Sequence, residues 1–287
     1  MIVKKTERNI ITAGLINLIF AIVQLIGGLL TNSVAILSDA VNDFGDACSI
    51  GLSFVLDKRA GKQPNAVYTY GYARSRVVGA LATAMFLLAG VGYMIYTAIH
   101  KLITPEPVSG VWVFILSACG IVLNFIAMLK MRSGADMNAK MLSFHMLEDV
   151  LEGVVVLIGS IFIWVFKIYC LDPIISIAFS VYILINVIFK LVDIFGVLMQ
   201  KCPKSFDKTK FEKDIKIIES VLDVTDMHVW TLDGSGVIAS MHVLLPRDID
   251  TRDVIDVKKQ VSNVCATCGV QYHTIQCDFV DEEAEEH

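Results

Sequence analysis

Four windows of this sequence carry no charged side chain: residues 9–38, 77–100, 107–129 and 173–189. A helix needs roughly 20 mostly apolar residues to cross a bilayer, and the first window holds one crossing, a turn at Thr31-Asn32-Ser33 and the start of another. Two further apolar stretches, about 34–56 and 141–166, are interrupted by only a few polar residues. The pattern predicts six membrane-spanning helices within residues 1–203. With 55% hydrophobic and only 18% charged residues, the 287-residue chain has the composition such an architecture needs. No cleavable leader is expected, because Lys4 and Lys5 precede a run too long for one.

Short loops set the expected orientation. Lys4, Lys5 and Arg8 precede span one, and Lys58, Arg59, Lys62, Arg74 and Arg76 lie between spans two and three. Lys130, Arg132 and Lys140 lie between four and five, and Lys201 and Lys204 follow six, whereas the opposite side offers mainly Lys101 and Lys167. The positive-inside rule then puts both termini in the cytosol. Gly14, Gly27 and Gly28 in span one suggest close helix approach. The seven cysteines are scattered, and Cys48, Cys119 and Cys170 sit in or beside spans, so free thiols fit better than a disulfide framework.

Beyond Cys202-Pro203-Lys204 the sequence becomes soluble and acidic. This tail supplies most of the net charge of −5, which argues against nucleic-acid binding. An amphipathic helix is predicted at 207–221, strands at Val224–Leu232 and Val237–Leu245 around an Asp233-Gly234-Ser235-Gly236 hairpin turn, a helix at 251–264 and a closing strand at Val270–Phe279. That order suits a small α+β domain over 204–281 with helices on one sheet face. The acidic run 282–287 reads as a disordered tail.

Carboxylates inside apolar stretches are costly, on the order of 2.5–3.5 kcal/mol for Asp on insertion scales. Span two nevertheless carries Asp39, Asn42, Asp43 and Asp46, and span five carries His145, Glu148, Asp149 and Glu152 at the same spacing. At about 100° per residue each set falls in one helical stripe. One acidic stripe could face a water-filled cavity; two matching stripes suggest that the cavity holds a cation. Asn42, Asp46, His145 and Asp149 supply one imidazole and three side-chain oxygens, a donor set for a divalent transition metal. Asp39, Asp43, Glu148 and Glu152 then read as surrounding groups or proton relays.

These residues belong to longer runs: 28–40 leading into Asn42-x-x-x-Asp46, Tyr70-Gly71-Tyr72-Ala73-Arg74, His145-x-x-x-Asp149, Asp172-Pro173-Ile174, and His228-Val229-Trp230-Thr231-Leu232. In them the chain resembles the cation diffusion facilitators, which exchange metal cations for protons, over essentially its whole length. The resemblance implies six transmembrane helices, a metallochaperone-like, ferredoxin-like αββαβ cytosolic domain, a homodimer, and a transport site that maps onto the same four residues. Many zinc-exporting relatives have His where this chain has Asn42, so the site here is harder. Zinc is favoured on His145 and manganese is the main alternative, with cadmium, cobalt or iron behind them. The loop between spans two and three has no His, so the extra metal site that some relatives carry there is expected to be absent.

Relatives also bind regulatory metal between paired cytosolic domains, which makes His228, His242, His273 and Asp278 candidates; His273 and Asp278 differ in strand parity. Cys265-x-x-Cys268 falls at a helix end and reads as structural. Lys190 and Asp193 are candidates for pairing near the end of span six. An intramembrane metalloenzyme would need a nucleophile for which no signature is visible. A mere membrane-anchored metal sensor would not carry buried acids in two spans. The expected protein is therefore no enzyme and has no prosthetic group: a metal-for-proton exporter in a bacterial plasma membrane, with the metal ion as substrate.

Overall fold

Long uninterrupted helices follow from the apolar windows, because a backbone in hydrocarbon must satisfy its own hydrogen bonds. The computed structural model describes residues 2–132 and 137–280. Six long helices come first: α1 (Ile2–Thr31), α2 (Val34–Ala60), α3 (Ser75–Ile103), α4 (Gly110–Arg132), α5 (Met137–Phe166) and α6 (Leu171–Leu198). There follow α7 (Lys208–Lys216), β1 (Asp223–Thr231), β2 (Val237–Leu245), α8 (Thr251–Thr267) and β3 (Val270–Phe279). The chain divides into two compact units, Met1–Lys58 with Val78–Leu191, and Arg59–Val77 with Val192–His287. The expected disordered tail lies outside the described residues.

In the first unit, five helices among the described residues are long and apolar enough to cross a membrane: α1, α3, α4, α5 and α6. The acids of α2 keep it below that standard. Its surroundings differ too, since Val55 is its single large apolar exposed residue among those described, whereas the other five helices show many. Neighbours enclose α2. Gly28 of α1 admits Leu37, Gly45 admits Leu87 of α3, and Gly90 of α3 admits Val41; a Cβ on any of these glycines would lie within 3 Å of the partner side chain. Ser38 hydrogen-bonds Ser180 of α6 at 2.8 Å, and Ala35 and Ile36 join Val113 of α4 and Val156 of α5 in a buried cluster.

The turn into α2 uses Asn32 at φ +57°, a left-handed conformation that Asn tolerates. Ser33 caps α2 by accepting from the Ile36 N–H at 3.2 Å. Asp172, in the first turn of α6 and 1% exposed, accepts from the Ser33 hydroxyl and from the Val34 N–H at 2.7 Å. The Asp-Pro pair thus has a second use beyond starting α6: its carboxylate satisfies the amide end of α2. Lys101 donates to the Asn32 carbonyl at 2.8 Å, and Asn32 donates to Glu106 at 2.8 Å.

In the second unit β2 is central, antiparallel to β1 and parallel to β3. Phe211 and Ile215 of α7 and Val257, Val261 and Cys265 of α8 pack with Ala239, Met241, Val243 and Leu245 in one core, so both helices cover the same sheet face. Direct β2–β3 pairing differs from a ferredoxin-like split βαβ, in which another strand intervenes. The predicted helix at 207–221 ends at Lys216, and Ser220 adopts φ +70° before β1. Asp193 bonds Lys204 at 2.7 Å rather than Lys190.

Loop 59–77 belongs to this unit as well. Arg76 meets Asp233 of the hairpin turn at 2.6 Å, and Tyr70 meets Tyr272 of β3 edge-on with centroids 5.8 Å apart. Burial pushes the Asp233 carboxyl up, but donors from Ser235, Arg76 and Gly236 outweigh it and hold the group below its ordinary value. A lowered pKa adds stability above the unfolded-state value, and that stability disappears as pH falls through the folded-state value. Asp233→Asn is therefore expected to lower the melting temperature of the full chain at pH 7, with the difference shrinking as the solution is made acidic enough to protonate the folded-state carboxyl; calorimetry over a series of decreasing pH values checks this.

Candidate metal transport site

Helical periodicity places Asp39, Asn42, Asp43 and Asp46 on one side of α2, and His145, Glu148, Asp149 and Glu152 on one side of α5. The structure turns these stripes toward each other: the carboxylates of Asp39, Asp46, Asp149 and Glu152 all act electrostatically on Asp43. Asp43 is 1% exposed, Asp149 5% and Glu152 8%. Neither Asp43 oxygen has a hydrogen-bond partner among the described residues. Asn42, Asp46 and Asp39 are half-buried. Among the described acids of α2, the most enclosed is therefore Asp43, one residue past Asn42.

Glu148 departs from the group. It is exposed and accepts from the Tyr182 hydroxyl of α6 at 3.4 Å. The α5 backbone puts His145 one turn before Asp149, while its side chain lies outside the described residues. Among the described residues no three His, Cys, Asp or Glu side chains are gathered closely enough to hold an ion. The acids thus share a neighbourhood without forming a closed chelate.

Sequence reasoning missed Gln24. This α1 residue is 1% exposed and donates its amide N–H to an Asp39 carboxylate oxygen, so α1 also contributes to the acidic region. The available signal was an amide in the middle of an uncharged, mostly apolar window, which also holds Asn17.

In the second unit His242 and Asp278 do come together, Nδ1 to Oδ2 at 2.7 Å, and Gln276 donates to the other Asp278 oxygen at 2.9 Å. The Gln276 donor, then His242, hold the Asp278 carboxyl below its ordinary value. His228 stands opposite Ser240, and His273 opposite Ala239. A bulge between Thr225 and His228, with Asp226 at φ +47°, shifts the register of β1. Cys265 is in the core and Cys268 caps α8; burial pushes the Cys265 thiol up to about 11, which disfavours the thiolate.

Two family models match this chain. One, described as a cation efflux transmembrane domain, matches residues 10–199. The other, a cation efflux protein cytoplasmic domain, matches 203–278. The chain is 26% identical over 93% of its length to the "Cadmium, cobalt and zinc/H(+)-K(+) antiporter" of Bacillus subtilis, covering 86% of that protein. It is 27% identical over 85% of its length to "Zinc transporter ZitB" of Pectobacterium atrosepticum, covering 78% of it. With "Proton-coupled zinc antiporter SLC30A8" of Xenopus laevis it shares 25% identity over 98% of its length, covering 80% of that relative.

Proposed function

The chain belongs to the cation efflux family, a family of membrane transporters, and from that premise we propose that it exports a divalent transition-metal ion from the cytosol in exchange for protons. The observation that carries the reading is the convergence of two acidic stripes, from α2 and α5, on one buried region. An acidic pocket enclosed by apolar helices attracts cations and repels anions.

α2 is the sixth span. Its acids are tolerable in a membrane because α1, α3, α5 and α6 shield them from lipid. Both termini lie in the cytosol, by the distribution of basic residues, and the membrane is a bacterial plasma membrane. The transport domain is 1–203 and the cytosolic, metallochaperone-like domain 204–281, which pairs with a second copy to form a homodimer. The cytosolic-domain family is described through a dimer in its short name, "ZT_dimer", which fits that pairing. His228, His242, His273 and Asp278 are the regulatory metal positions of that domain.

Asn42, Asp46, His145 and Asp149 bind the ion, with Asp39, Asp43, Glu148 and Glu152 around them. Ligation requires a neutral imidazole and ionised carboxylates, so protons and metal compete for the same atoms. Rocking of the helices exposes the loaded site to the outside, where a proton displaces the ion. The returning proton is released to the cytosol, and the pH gradient alone drives export.

Zinc is the favoured substrate because imidazole suits it, and several relatives are named for zinc. Manganese is the second reading, favoured by the amide oxygen of Asn42 in place of a nitrogen donor. Competitive uptake of the two ions into proteoliposomes under an imposed pH gradient tests both. Asn42→His is expected to raise the zinc-over-manganese ratio by about 10-fold, the scale on which ligand-sphere changes alter metal affinity. An unchanged ratio would exclude Asn42 from the selecting ligands.

A further inference from the structure

The acidic region extends beyond the quartet. Asp39 lies one helical turn from Asp43 toward the α1–α2 turn, and Gln24 of α1 stands beside it. The Gln24 amide is oriented by its bond to Asp39, since the opposite orientation would set oxygen against oxygen. Its carbonyl oxygen is thereby directed elsewhere, buried and with no donor among the described residues. Both oxygens of Asp43 are in the same condition. Three buried acceptor atoms without a donor are therefore found on two residues, Gln24 of α1 and Asp43 of α2, with Asp39 between them on the chain path, in a region where Asp46, Asp149 and Glu152 add negative field.

A buried acceptor is stabilised by a donor or by a cation. We propose that Gln24, Asp39 and Asp43 form a second cation station, built wholly of oxygen donors, on the α1–α2 side of the transport quartet. It extends the transport reading above and rests on it. Two carboxylates and an amide oxygen, with no nitrogen or sulfur, suit a hard divalent ion such as Mn2+. An ion leaving the quartet toward the α1–α2 turn would pass this station, and two adjacent sites of moderate affinity favour passage over trapping. Repulsion between the two ions would also assist release.

The test is equilibrium binding of Mn2+ to the purified full-length chain in detergent. Asp43→Asn is nearly isosteric, and Gln24→Leu removes the α1 oxygen without changing charge. Each is expected to reduce saturating Mn2+ by one ion per chain. Asp46→Asn also removes one ion, and combining it with either variant removes one more. If Asp46→Asn alone and the double variants bind the same amount, the trio holds no ion of its own and the inference is overturned. If instead Gln24→Leu loses an ion and Asp46→Asn loses none, the trio stands and the quartet reading is the one that fails.

Discussion

Asp46→Ala and Asp149→Ala are each expected to bring proton-driven metal uptake in proteoliposomes to the level of empty vesicles, a loss of more than about 100-fold. Each change removes an anionic ligand from a proposed four-donor site, and the remaining groups cannot replace a carboxylate that the helix holds at i, i+4. The same changes also remove one charge from a region where several like charges surround Asp43. A ligand's removal need not unfold the protein, so both variants are expected to melt close to the parent chain. Flux lost with stability kept distinguishes a ligand from a packing residue. Uptake that persists in either variant would remove that residue from the transport site.

Asp172→Ala is expected to show the opposite pattern, with stability affected first. Asp172 is buried and accepts from the Ser33 hydroxyl and the Val34 N–H at the start of α2. Charge-assisted bonds contribute about 1.5–3 kcal/mol each, and their loss leaves the amide end of α2 unsatisfied within the protein. A destabilisation of about 3 kcal/mol is expected, read as a lower melting temperature of the detergent-solubilised chain. Asp172→Asn, which keeps one acceptor for Val34, is expected to lose about half as much. If Asp172→Ala melts with the parent chain, the cap contributes little. Metal binding at the quartet should survive in Asp172→Asn, because this cap is a separate set of contacts.

The C-terminal α+β domain was the more legible part of the sequence. Alternation of apolar residues along β1 and β2 and the Asp-Gly-Ser-Gly turn between them are local signals, and the strands lie within a residue or so of their expected positions. Helix α7 stops at Lys216 rather than 221 because Ser220 takes a left-handed conformation before β1, which the apolar periodicity does not register. The direct parallel pairing of β2 with β3 was not legible either. Strand order depends on which edge a crossover reaches, and no local pattern encodes that choice. Loop 59–77 reads as an ordinary polar connection; its membership of the second unit follows from Arg76 meeting Asp233, a partner 157 residues away.

The sequence by itself determined that long apolar helices form, that acids recur at matching intervals on two of them, and that a small α+β domain follows. Those properties depend on residues within a few turns or one strand of each other. Tertiary structure decided which acid is most enclosed, that α1 contributes Gln24, and that Asp172 caps α2. Helical spacing fixes a side chain's place around its own axis. The direction of that face is set by distant contacts, such as Leu37 against Gly28, Leu87 against Gly45 and Val41 against Gly90, which rotate α2 until Asp43 points into the interior.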